Sequence, residues 1–293
     1  MKLTDNTLRR YKAIIIEIAK YFDKFCCENN LAYFAIGGTA IGALRHDGII
    51  PWDDDIDLVM PRPDYERFLK LSHKIDKKFD IFTHKTHPFY HLPYAKMCDA
   101  NTSLLPSFRH KCVIGAFIDI FPMDGLPNTT ELGRIKYFNN FMKIRKIASG
   151  INTYCNLNDM FHAIYRRDFM EIKSQLISFY YHIMNKQNDF FLKCDNFLAQ
   201  YSYENADYVA YFGTNRGHKI ISPKDYFNSY YYQKFEDFEI RLPIGIHKYL
   251  TNVYGDYMTP PEPKNRVLLH SYYYLNLNAR LSYNEILSEL KNK

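Results

Sequence analysis

Apolar residues recur at helical spacing near the start of the chain: Leu8, Tyr11, Ile14, Ile15, Ile18, Ala19, Phe22 and Phe25 share one face. Thr4 or Asp5 offers an N-cap, so the pattern predicts a helix running to about Glu28, where Asn29-Asn30 ends it. Leu31 to Ile36 reads as a strand that breaks at Gly37-Gly38-Thr39, and Ala40 to His46 reads as a short helix. After an Asp47-Gly48 turn, Ile49-Ile50-Pro51-Trp52 leads into the acidic string Asp53-Asp54-Asp55-Ile56-Asp57, which continues without a break into Leu58-Val59-Met60. Pro61 and Pro63 close that strand, and residues 64–74 read as a helix. Short strands follow at 79–83 and 93–98. A longer apolar run from Gly115 to Gly125 reads as a central strand interrupted by Asp119, with Asp124 placed as a turn residue before Gly125.

Beyond Pro127 the pattern changes. Residues 130–149 and about 160–203 read as helical, separated by a polar break at 152–159. Strands are expected near 208–212 and 235–242, a short helix at 245–253 and a closing helix at 283–290. The intervening tail, from Tyr254-Gly255-Asp256-Tyr257 through Pro260-Pro261 and Arg266 to His270, carries turn chemistry and aromatics suited to lining a cleft. His162, His182 and His218 fall singly, without metal spacing, and read as structural or surface residues. The division is a core over 1–128 and a mainly helical annex over 129–293 that completes the cleft.

The acidic strand sets the chemistry. Side chains two apart on a strand share a face, so Asp55 and Asp57 point one way while Ile56 and Leu58 point into the core. Asp53 joins that face if the strand begins early. Carboxylates on one face repel unless a cation sits between them. Burying Asp119 in an apolar strand is costly without a donor or a metal, which makes it the natural third ligand. Oxygen ligands suit Mg2+ or Mn2+. Upstream, a strand, two glycines and a hydroxyl residue opening a helix make a place for phosphate: Gly37 and Gly38 let backbone approach and the helix start offers free N–H donors. Two ions about 3.5–4 Å apart can activate an attacking oxygen and neutralise a leaving diphosphate. The residues therefore point to metal-assisted transfer of a phosphorus group.

Composition narrows this only slightly. Of 293 residues, 47% are hydrophobic and 24% charged, which is globular; 26 Tyr and 22 Phe against a single Trp serve cores and sugar clefts equally. The net charge of +6 favours anionic partners, but Lys and Arg are scattered rather than gathered into the stripe of a nucleic-acid binder. Six cysteines without a C-x-x-C pair read as reduced thiols, the N-terminus lacks a secretory h-region, and no apolar run spans a bilayer. A cytoplasmic protein, at most peripheral on a membrane, is expected.

Gly37-Gly38-Thr39 with Ile41-Gly42-Ala43-Leu44-Arg45-His46, then Ile50-Pro51-Trp52-Asp53-Asp54-Asp55-Ile56-Asp57, then Phe117-Ile118-Asp119-Ile120-Phe121-Pro122-Met123-Asp124, resembles the LicD family. The tail Tyr254-Gly255-Asp256-Tyr257 with Pro260-Pro261 and Arg266 is similar to that family's C-terminal pattern. The resemblance implies an α+β nucleotidyltransferase fold like that of polymerase β and the fukutin proteins: a mixed sheet core with helices and a helical annex. It also implies transfer of phosphocholine, or a related phospho-alcohol, from a CDP-linked donor to a sugar hydroxyl of a surface glycan such as lipopolysaccharide, teichoic acid or capsule. The acceptor would be a glycan, in some members lipid-linked. Carried over by position, Asp55, Asp57 and Asp119 hold Mg2+ or Mn2+, Gly37, Gly38 and Thr39 form the phosphate loop, and Arg45, Lys96 and Arg266 contact the donor. Three readings compete: a nucleotidyltransferase moving a nucleoside monophosphate from NTP to a small hydroxyl acceptor, a glycosyltransferase using Asp-x-Asp, and a catalytically idle glycan-binding member.

Overall fold

In the computed structural model the helix expected at the start is α1 (Asp5–Glu28), and Thr4 caps it by accepting from Thr7 N–H at 3.2 Å. The structure describes residues 4–291 except 88, 91, 107–110, 152–160, 162–163, 185–186, 214–215, 269 and 271, so the polar break at 152–159 and His162 lie outside the described residues. The buried face of α1 carries Tyr11, Ile15, Ile18, Ala19, Phe22, Phe25 and Cys26. That face lies against two strands of the main sheet.

The chain continues through β1 (Phe34–Ala35), α2 (Gly37–His46), β2 (Asp57–Pro61), α3 (Arg62–Leu71), β3 (Phe79–Phe82), β4 (Ala95–Asp99), β5 (Ser103–Leu105) and β6 (Phe117–Gly125). Helices α4 (Glu131–Ile151), α5 (Phe169–Ile183) and α6 (Gln187–Leu198) follow, then β7 (Tyr208–Tyr211) and β8 (Ser222–Pro223). The last elements are the hairpin β9 (Tyr230–Phe235) and β10 (Phe238–Pro243), α7 (Ile246–Tyr254), β11 (Tyr274–Asn276) and α8 (Tyr283–Lys291). The architecture is α+β. The main sheet runs β1-β2-β6-β4-β3, with β7 joined to β6 and β8 to β7. Only β2 and β6 pair in parallel; the other neighbours in this sheet are antiparallel. Strands β7 and β8 come from beyond residue 128, so the later part of the chain completes the same sheet.

Several elements differ from the sequence reading for clear local reasons. The expected strand over 31–36 shrinks to a two-residue pairing with β2, because Gly37, at φ +57°, turns the chain directly into α2. Helix α2 therefore begins at the glycines, three residues earlier than expected. The acidic strand begins at Asp57; Asp53 to Ile56 approach it as irregular chain. Asp124 is no turn residue. It is the eighth residue of β6, and Arg62 at the start of α3 grips it through Nε at 2.6 Å and Nη2 at 2.9 Å. Among the described residues the expected 160–203 helix is divided, α5 and α6 forming its later part, and the expected 235–242 strand is one arm of a hairpin turned at Glu236, whose φ is +57°.

Candidate active site

The parallel pairing of β2 with β6 sets Asp57 opposite Asp119, and the antiparallel pairing of β4 with β6 sets Lys96 opposite Asp119 on its other side. The line Asp57–Asp119–Lys96 thus crosses three adjacent strands at one level. Each member has apolar neighbours, and Ile56, Leu58, Ile118 and Ile120 beside the two aspartates are buried at 0–1% exposure. Sheet register, not loop geometry, puts these charges together.

A cleft of about 670 Å3 opens above them. Asp53, Asp55, Asp57 and Asp119 all line it, with Gly38 at one edge and Trp52, Tyr94, Phe121, Tyr211, Tyr254 and Tyr257 supplying aromatic wall. The cleft gathers the carboxylates expected from the sequence, with Asp53 added. The Asp53 and Asp55 carboxyls adjoin, so each influences the other's protonation. A Cβ on Gly38 would lie 2.5 Å from Asp53 Oδ2, so the glycine is what allows the helix to close on the acidic segment.

Thr39 has another task. It is buried, and its Oγ1 accepts the Asp57 backbone N–H at 2.7 Å, which fixes the start of β2 rather than facing the cleft. Lys12, from α1, donates to the carbonyls of Ile50 at 3.1 Å and Pro51 at 3.0 Å, anchoring the turn that delivers Asp53.

Asp54 points the opposite way. It is wholly buried, receiving His270 Nδ1 at 2.8 Å and the Tyr272 hydroxyl at 3.1 Å. It is therefore a structural carboxylate beneath the cleft, and His270 presents Nε2 at 3.9 Å from Asp55 Oδ2. The hydrogen bond to Asp54 holds the His270 pKa above its usual value, against the opposing effect of burial. Sequence reasoning did not give His270 or Tyr272 a role. Their contact with Asp54 spans more than 200 residues, and no local pattern marks it.

The remaining expected residues take up distinct places. Lys96 is no surface lysine: it is buried, ion-paired with Asp119 Oδ1, and its ammonium lies 3.4 Å from the centre of the Phe117 ring. It faces a smaller cavity of about 190 Å3 behind the cleft, which shares Tyr94, Asp119 and His270 with it. Arg45 lines the cleft and donates to the Tyr257 carbonyl at 2.6 Å. Arg266 does not line the cleft. It is exposed, bonds the Pro261 carbonyl at 2.9 Å, and stacks its guanidinium 4.9 Å from the Trp52 ring. It acts on the site through Trp52.

Burial first, and repulsion among the carboxylates second, raise the pKa values across the cluster. Burial, then Asp119 and Asp53, push Asp57 up to about 7. Asp55 is driven well above the usual carboxylate range by burial and then by Asp57, Asp53 and Asp119. Asp119 is also raised by burial, with Lys96 pulling it back. Such a set is short of positive charge. Its all-oxygen chemistry suits Mg2+ or Mn2+. Among the described residues, no three His, Cys, Asp or Glu side chains form a ready metal cage. Mg2+ in phosphate chemistry uses one or two carboxylates and completes its shell with water and substrate phosphate, so the cluster fits that mode rather than a closed protein site.

Fold and site together define a class. Residues 30–146 match the family model described as the nucleotidyltransferase domain of LicD, FKTN and FKRP. The chain is 31% identical over 276 residues, 87% of its length and 93% of the relative's, to the Haemophilus influenzae lipopolysaccharide cholinephosphotransferase LicD. The chain belongs to the LicD family of phosphotransferases. It is also 35% identical to an uncharacterised protein of Rickettsia typhi, over 75 residues that make up 24% of each chain. Among the described residues no helix is long and apolar enough to cross a membrane, and the cysteines are free thiols.

Proposed function

We propose that this chain transfers phosphocholine, or a closely related phospho-alcohol, from a CDP-linked donor to a sugar hydroxyl of a surface glycan, with lipopolysaccharide the first acceptor to test. The fold in this reading is of the nucleotidyltransferase type, related to polymerase β. The observation that carries the reading is the register of β2 on β6, which sets Asp57 against Asp119 at the floor of a cleft that Asp55 also lines. Asp55, Asp57 and Asp119 would hold Mg2+ or Mn2+. When bound, the ion would neutralise the donor's diphosphate, whose bridging P–O bond breaks as the acceptor oxygen bonds the phosphocholine phosphorus and CMP leaves.

The chain's own residues divide the rest. Lys96 bonds Asp119 Oδ1 and leaves Oδ2 for an ion. Gly38 and the start of α2 stand where donor phosphate can meet backbone N–H groups. Asp53, beside Asp55 and raised by burial, is placed to take the proton of the acceptor hydroxyl. Trp52, stacked on Arg266, and Arg45 form the wall suited to the cytidine end.

The test is phosphorus NMR of the purified protein with CDP-choline, lipopolysaccharide and Mg2+ or Mn2+. The expected result is CMP together with a new phosphodiester, both absent when EDTA is added. Asp57→Ala should lower turnover by about 10³-fold or more, in the range of losing a main electrostatic group, with an unchanged circular dichroism spectrum. Pyrophosphate released from CTP or ATP, with no CMP from CDP-choline, would instead establish the nucleotidyltransferase alternative.

A further inference from the structure

Helix α5 exposes a line of apolar residues to solvent. Phe169, Leu176, Tyr180 and Ile183, with Lys173 between them, succeed one another at steps of four and three residues and so form one stripe along the helix. Just before the helix, Tyr165 is exposed as well. Exposure ranges from 53% at Tyr180 to 88% at Tyr165. Isolated exposed hydrophobics are ordinary, but a continuous row of this length marks an interaction surface. The rest of α5 is not all spare, since α5 packs on α4 and α6 and Ile177, on the flank of the stripe, packs against the core.

We infer that this stripe is the face by which the protein lies on an anionic lipid surface. Two features of the patch choose lipid over a second protein. Its residues are Tyr, Phe, Leu and Ile, and aromatic side chains of this kind settle at the boundary between headgroups and acyl chains. Basic side chains accompany it: Arg166 and Arg167 just before the helix and Lys173 within the stripe are exposed, and Asp168 is the one exposed acid among the described side chains of residues 164–173. A helix of 15 residues with its outer face apolar and basic groups at its start is long enough to lie in the interface plane and too short to span it. The arrangement gives two weak attachments, apolar burial and charge attraction, that act together and stay reversible. It stands independently of the proposed reaction, although a lipid-borne acceptor would make such docking useful.

The test is flotation of the full chain with vesicles of phosphatidylcholine alone and of phosphatidylcholine with phosphatidylglycerol. Binding is expected on the mixed vesicles and weak on the neutral ones, with loss at high salt. The double replacement Arg166→Gln and Arg167→Gln should lower the partition coefficient on anionic vesicles by about fivefold per charge. The replacement of Tyr165, Phe169 and Leu176 by Ser should abolish binding to both. These side chains are exposed, so the variants keep the wild-type circular dichroism spectrum. Wild-type protein that remains unbound on anionic vesicles overturns the inference. So does binding that the Ser replacements leave intact, or a dimer in sedimentation velocity that those same replacements dissolve.

Discussion

At the scale of single residues, three neighbouring aspartates divide between two environments. Asp53 and Asp55 line the cleft, and Asp54 between them is buried under His270 and Tyr272. Asp57 carries the sharpest consequence. Its carboxyl sits at about 7 when folded, against an ordinary 3.8. Between those values the folded chain holds a proton that the unfolded chain has released, so stability in metal-free buffer falls as pH rises from about 4 to 7. Above 7 the charged carboxylate is a standing cost. Asp57→Asn should therefore raise the melting temperature at pH 8, leave it nearly unchanged at pH 4, and flatten the profile between; a series of thermal melts in EDTA checks this. The acidic cluster itself was legible, because Asp57 and Asp119 break apolar runs where nothing structural asks for charge. Which aspartate turns inward was not legible, since His270 and Tyr272 reach Asp54 from the far end of the chain. Nor was the burial of Lys96: a lone lysine on a short strand looks like a surface residue until Asp119 and Phe117 are seen to enclose it.

At the scale of elements, the helical period of α1 and the apolar runs of β2 and β6 contain enough information to place the core, and these elements form close to where the pattern predicts them. Short elements were harder. The strand over 31–36 fails because Gly37 starts a helix at once, and Asp124 was misplaced because its partner Arg62 lies on another element. That pair ties α3 to the far end of β6, and Asp195 of α6 joins through Arg62 Nη1 at 2.9 Å. Both members of the Arg62–Asp124 pair are largely shielded from water. Arg62→Leu leaves Asp124 charged and unpaired, so it should cost about 3–5 kcal/mol in urea unfolding. Replacing both partners by apolar residues should recover much of that loss, because the desolvation cost is removed with the pair. Equal losses in the single and double variants would show that the packing, not the charge pairing, matters there.

At the scale of the whole molecule, the C-terminal tail closes a site that the N-terminal half begins. Arg45 holds the Tyr257 carbonyl, Arg266 stacks on Trp52, and His270 and Tyr272 seize Asp54. His270→Ala should lower stability by about 1.5–3 kcal/mol, the usual worth of a hydrogen bond to a charged group. Trp52 is the single tryptophan and lines the cleft, so its fluorescence follows that loss at the site itself. A tail contact without effect on the Trp52 transition would mean that the tail and the acidic segment unfold separately.

In the proposed reaction Asp55, Asp57 and Asp119 hold a divalent ion while phosphate is transferred. Electron paramagnetic resonance of Mn2+ added to the protein with CDP-choline measures this most directly. Bound Mn2+ should appear with the wild-type chain and disappear when Asp57 or Asp119 is replaced by Ala, while an Ala at the exposed Asp168 changes nothing. Mn2+ held equally well by the wild type and by a chain lacking all three carboxylates would contradict it.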